Sequence, residues 1–125
     1  MTQKVLLACI TVLVLTGCVQ RRYDWNNYDQ ELYNHYKNPA ETEQFIAGLK
    51  QSVERSEASG KVPPGLYAEY GYILYETGNY PEAIKFFTKE QNRWPESRAL
   101  MAKMIDNSRK KTAKAENRQS AEVAK

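Results

Sequence analysis

From Trp25 to Ile105 the apolar residues recur every three or four positions in five consecutive stretches, and proline or glycine stands at each break between them. Positions three and four apart share one face of an α-helix, whereas a strand would alternate at every second residue. Trp25, Tyr28, Leu32 and Tyr36, with Tyr33 beside them, predict a short first helix with an unusually aromatic apolar face, ending near Asn38-Pro39. Phe45, Ile46, Leu49 and Val53 predict a second, with Asn38 as its cap and Pro39 in its first turn, stopping at Ser59-Gly60. After Val62-Pro63-Pro64-Gly65, residues Leu66, Tyr70, Ile73 and Leu74 mark a third helix that runs up to Gly78-Asn79. Pro81 opens a fourth, with Ala83, Ile84 and Phe87 on its inner face and Trp94-Pro95 at its end. Leu100, Met101, Met104 and Ile105 mark a fifth. The chain is expected to be all-α, with about five helices and no strand.

Residues 64 to 97 resemble one tetratricopeptide repeat (TPR), a 34-residue unit of two antiparallel helices. With Pro64 at the first position, Tyr67, Tyr70, Gly71, Leu74, Ala83, Phe87 and Pro95 all fall where the repeat needs them. Gly71 and Ala83 are small where the two helices cross closely, Tyr67, Leu74 and Phe87 fill the space around the crossing, and Pro95 stops the second helix. Glu90 departs from the pattern, at a position that usually holds a small residue. Residues 28 to 58 are expected to form a further TPR-like hairpin. One repeat cannot bury both of its faces, so this flanking pair and the fifth helix are expected to cap it. Such an architecture usually binds something.

The amino-terminal segment has a different character. Lys4 begins a short positive region, Val5 to Leu15 is almost wholly apolar and includes Cys9, and Leu15-Thr16-Gly17-Cys18 resembles a lipobox, the recognition site for attaching a diacylglyceryl group to a cysteine. The apolar run is shorter than the roughly 20 residues a spanning helix requires. Residues 1–17 are therefore expected to be a lipoprotein signal peptide, read through Leu15, Thr16 and Gly17, with Cys18 as the lipidated residue. Three acyl chains, at about 0.8 kcal/mol per buried methylene, would make detachment from the bilayer negligible. Val19 is not the Asp best known for retention in the inner membrane, so the outer membrane, periplasmic side, of a Gram-negative cell is the expected location.

The division that follows is a lipidated tether at 18–24, a TPR-like helical domain at 25–106, and a basic, partly disordered tail at 107–125. Residues 18 to 106 carry eleven basic and thirteen acidic side chains, and residues 107 to 125 carry six basic and two acidic. Basic residues such as Arg109, Lys110 and Lys111 suit a helix carboxyl end, so they need no binding role.

Read in order, Tyr23-Asp24-Trp25-Asn26-Asn27-Tyr28, Leu32-Tyr33, Pro63-Pro64-Gly65-Leu66 and Trp94-Pro95-Glu96-Ser97 resemble a family of small bacterial outer-membrane lipoproteins, a domain of unknown function covering most of residues 20 to 106. Asn26 stands where the Trp-Gly motif of that family has glycine, and Tyr70 where a smaller apolar residue is common. Its members are typically encoded beside a lipoprotein similar to the curli secretion channel CsgG and a third small lipoprotein. The resemblance implies an envelope complex with those two partners.

Little in the sequence points to catalysis. His35, the only histidine, has no companion for an ordinary zinc site, and neither a nucleophile elbow nor a phosphate-cradling glycine loop is present. No catalytic residue, metal, cofactor, nucleic acid or small-molecule substrate is expected. Nine tyrosines and two tryptophans are favoured where a partner repeatedly covers a surface. Trp25, Tyr28, Tyr33 and Tyr36 are candidate contacts on the first helix, and Tyr67, Tyr70 and Tyr75 on the inner groove of the repeat, each of which could instead be core. The leading expectation is a non-enzymatic adaptor in an envelope lipoprotein complex. A factor binding the cell wall or anionic lipid through the basic tail, and a pilotin-like targeting chaperone, are the alternatives.

Overall fold

The breaks in the periodicity become the ends of helices. Gly60 and Gly78 take left-handed φ of 69° and 84° directly after the second and third helical stretches, a conformation that costs glycine no Cβ clash. The computed structural model describes residues 22–38 and 42–123. Five α-helices lie within them: α1 at Tyr28–Lys37, α2 at Thr42–Ser59, α3 at Leu66–Glu76, α4 at Tyr80–Arg93 and α5 at Arg98–Val123, with a 3-10 turn at Pro95–Ser97. No strand occurs among the described residues. Pro39 and the lipobox residues Leu15, Thr16, Gly17 and Cys18 lie outside them.

Each helix packs on the next in chain order, most closely α3 with α4 and α4 with α5. The core is one layer of side chains between them: Phe45, Leu49 and Val53 from α2, Leu66, Tyr67, Tyr70, Ile73 and Leu74 from α3, Ala83 and Phe87 from α4, and Met101 and Ile105 from α5. Ser108 is also wholly buried, its Oγ donating to the Met104 carbonyl at 2.7 Å. The boundary expected at residue 107 therefore falls inside a packed helix. The helix continues to Val123, and from Ala113 to Glu122 every side chain is exposed.

The crossing of α3 and α4 decides the geometry of this hairpin. A Cβ placed on Gly71 would come within 2.8 and 2.9 Å of two ring carbons of Phe87 and 3.3 Å of the Ala83 carbonyl. Phe87 is only 1% exposed and Ala83 is fully buried, so neither has room to retreat. A valine at Gly71 is expected to lower stability by about 1–3 kcal/mol through overpacking. Denaturant titration of the Gly71→Val variant should register that loss, and adding Phe87→Leu should restore part of it, because the two sites share one space.

The first helix departs from expectation. Its inward stripe is Tyr28, Glu31 and His35, three and four residues apart, with no residue fully buried. Leu32, Tyr33 and Tyr36 turn outward, with exposures of 39%, 52% and 84%. The cause is the start of the helix: Trp25 lies before α1, in the turn closed by the Tyr28 amide on the Trp25 carbonyl, so it does not share the periodicity of the helix.

Candidate functional site

Three pieces of the sequence that are far apart in the chain meet at one end of the helical stack. The amide of Asp24 donates to the Lys61 carbonyl at 2.9 Å, Ser56 Oγ donates to the Asp24 carbonyl at 2.7 Å, and the Tyr23 ring meets Trp94 edge to face at 5.8 Å. The segment preceding α1 is thereby fastened to the end of α2, the following loop and the end of α4. Asn26 holds a left-handed φ of 48°, with its amide on Asp24 Oδ1 and its side-chain amide reaching Ser52 and Ser56. Glycine is the usual residue in that conformation, and asparagine tolerates it best among the others.

The Pro63-Pro64-Gly65 turn joins the same region from below. Val62 and Pro63 are buried, and Gly65 takes φ of 89° as it opens α3. Its amide donates to Glu90 Oε1 at 2.7 Å. Glu90 is 2% exposed, so the residue that departs from the repeat pattern is a carboxylate placed against the amino terminus of the partner helix, where unpaired amides and the helix dipole favour negative charge. Burial still dominates and pushes its carboxyl above the ordinary value, while the amides of Gly65, Ala68 and Tyr67 oppose that shift. Beside it, Tyr67 Oη and Lys89 Nζ both donate to Glu57 Oε1, at 2.9 and 2.8 Å, tying α2, α3 and α4 together. Burial first, then the Glu57 carboxylate, push the Tyr67 hydroxyl up to about 12.

Those three motifs coincide with a known family. A model of Domain of unknown function (DUF4810) matches residues 22–104. The chain belongs to this family. No curated protein and no solved structure matches the chain. The match spans the segment from the fastened amino terminus to the packed part of α5, so the DUF4810 domain includes every core contact except those of Ile105 and Ser108.

Besides a pocket of about 230 Å³ between α1 and α2, two larger surfaces are open among the described residues of the DUF4810 domain. One is a groove of about 410 Å³ between α3 and α5, walled by Ala68, Glu69 and Tyr72 on one side and Leu100, Met101 and Met104 on the other, with Phe87 of α4 beneath. Tyr72 and Leu100 stand 48% and 60% exposed at its edges. Burial raises the Glu69 carboxyl above its usual range, with His35 acting in the opposite direction. The second is a shallow hollow of about 640 Å³ bounded by Arg22, Tyr23, Trp25, Asn26, Tyr28 and Asp29.

The sequence-nominated tyrosines divide between core and surface. Tyr67 and Tyr70 are each 6% exposed and pack on Phe86, which leaves them no area to offer a partner. Tyr75 is half-buried against Tyr80. Tyr28 is half-buried beneath Trp25. Trp25, Tyr33 and Tyr36 remain at the surface. Of the residues whose spacing marks the fifth helix, Met104 packs against the core and Leu100 is exposed. His35 lies parallel to Phe45 at 4.3 Å, with Nδ1 buried and unbonded. Among the described residues no three His, Cys, Asp or Glu side chains converge on a metal-sized site, and no helix is long and apolar enough to cross a membrane.

Glu90 makes the domain's stability depend on pH in a direction opposite to a salt-bridged carboxylate. Because its folded value is raised, its contribution is complete below the unfolded carboxyl value and is lost as pH rises through the folded value. Glu90→Gln keeps an oxygen for the Gly65 amide and cannot ionise, so it should remove that component of the pH dependence while preserving the fold. Glu90→Ala removes the acceptor of the Gly65 amide and empties a buried site, and should cost about 1–3 kcal/mol. Chemical denaturation of the three proteins between pH 4 and pH 8, a range on the order of the ordinary carboxyl value and above, checks both outcomes.

Proposed function

We propose that this DUF4810 protein is a non-enzymatic adaptor, held by acyl chains on Cys18 at the periplasmic face of the outer membrane, that docks onto a CsgG-like lipoprotein through the groove between α3 and α5. The groove carries this reading. Its walls are largely apolar and include Met101 and Met104, which suits a surface that adapts to a partner, and a groove between two helices is a setting in which an amphipathic helix can lay its apolar face. Tyr72 and Leu100 are large, exposed and unsupported by packing needs of the domain itself, the pattern of anchors awaiting a cover. Glu69, half-buried at the groove wall, supplies one acidic point that a basic side chain of the partner would meet.

The most buried ionisable side chain, Glu90, is engaged in capping a helix, which supports a structural and not a catalytic account of it. The third small lipoprotein expected beside the pair would complete the assembly. A tagged, detergent-solubilised full-length protein is expected to retain the CsgG-like lipoprotein on an affinity column. Leu100→Glu should abolish that retention, while its unfolding free energy changes by no more than about 0.5 kcal/mol because the side chain is at the surface. Failure of the unmodified protein to retain any envelope lipoprotein would refute the adaptor reading.

A further inference from the structure

We propose that the amino-terminal face of the domain, the hollow beside Arg22 and Trp25 together with the outer side of α1, rests on the phospholipid headgroups of the bilayer. This inference depends on the reading of Cys18 as a lipidated residue. Only Val19, Gln20 and Arg21 separate Cys18 from Arg22, and four steps of extended chain at about 3.3–3.6 Å each reach no more than ~14 Å. Arg22 begins the fastened segment, so a thioether-linked lipid on Cys18 keeps this face of the domain close to the bilayer surface.

The chemistry of the face fits that surface. Trp25, Leu32, Tyr33 and Tyr36 are all exposed, and tryptophan and tyrosine favour the headgroup level, where a ring can sit among acyl carbons while its polar edge stays hydrated. Cations flank the aromatics at both ends: Arg22 lies over the Tyr23 ring at 5.6 Å and Lys37 over the Tyr33 ring at 4.8 Å. Both are placed to meet lipid phosphates, and neither forms an ion pair with an acidic side chain among the described residues. Asp29 is the one acid on the rim of the hollow. Its exposure leaves it free to remain hydrated while the rings insert. The groove between α3 and α5 is built from other helices, so lipid contact through α1 does not occupy it.

Depth-dependent quenching tests the inference on the full-length mature protein. Trp94→Phe leaves Trp25 as the only tryptophan, and the protein is reconstituted into vesicles of phosphatidylethanolamine and phosphatidylglycerol doped with lipids bearing a nitroxide at the headgroup or at mid-chain. Trp25 emission is expected to fall at least about twofold with the headgroup probe, with a smaller effect from the mid-chain probe, and Arg22→Glu should reverse most of the headgroup effect. Intact mass spectrometry reads the acyl groups separately. Their absence overturns the anchor and this inference together, whereas an acylated protein with unquenched Trp25 overturns this inference alone. Trp25 shielded from aqueous iodide without nitroxide quenching assigns the face to a protein neighbour, including a second copy, and also overturns it.

Discussion

A single carboxylate joins the end of one helix of the central hairpin to the beginning of the other. Glu90, near the end of α4, receives the amide of Gly65 at the start of α3. An ionisable side chain taken out of water needs compensation, and the first turn of a helix offers it in unpaired amides and positive potential. The same contact explains the turn before it. Gly65 must present its amide from a left-handed conformation, Pro63 and Val62 must be buried to bring it there, and the Glu57, Tyr67 and Lys89 cluster closes the adjacent side of the hairpin.

From this joint the remaining helices take their positions. Gly71 and Ala83 let α3 and α4 approach until Phe87 fills the crossing, and α5 then covers the exposed side of α4 with Met101 and Ile105. The groove between α3 and α5 exists because α4 lies beneath both, with the buried Phe87 at its floor. In repeat proteins this inner surface is where binding usually happens. The proposed adaptor role therefore uses a space that helix packing creates, with no residue required to do chemistry.

Periodicity and punctuation in the sequence predict the five helices and the stops of the first four closely, because proline and glycine act through local backbone geometry, whereas the fifth, with neither at its end, runs on to Val123. Gly71, Ala83 and Phe87 were legible for a related reason: a fixed spacing imposes a steric demand at a helix crossing. Two things were not legible. Glu90 stood out as a departure from the repeat, but its role depends on an amide distant in the chain that only the fold brings to it. The facing of α1 differs from the expected one because Trp25 fits the helical period while lying in the turn before the helix. Glu31 and His35, polar residues that an apolar count overlooks, occupy the inward side instead. Tyr67 and Tyr70 show the converse: aromatic residues with polar tips proved to be core, one of them with its hydroxyl bonded to a carboxylate.

The fastening of Tyr23 and Asp24 also determines how the domain would bear mechanical load. A pull applied at Arg22 passes through the Tyr23–Trp94 ring contact and the Asp24 hydrogen bonds into the loop after α2 and the end of α4. It reaches the packed hairpin before it reaches α1, which contributes no fully buried residue. The first helix is thus shunted out of the line of tension, and it could swing or unwind while the rest of the domain stayed tethered and intact.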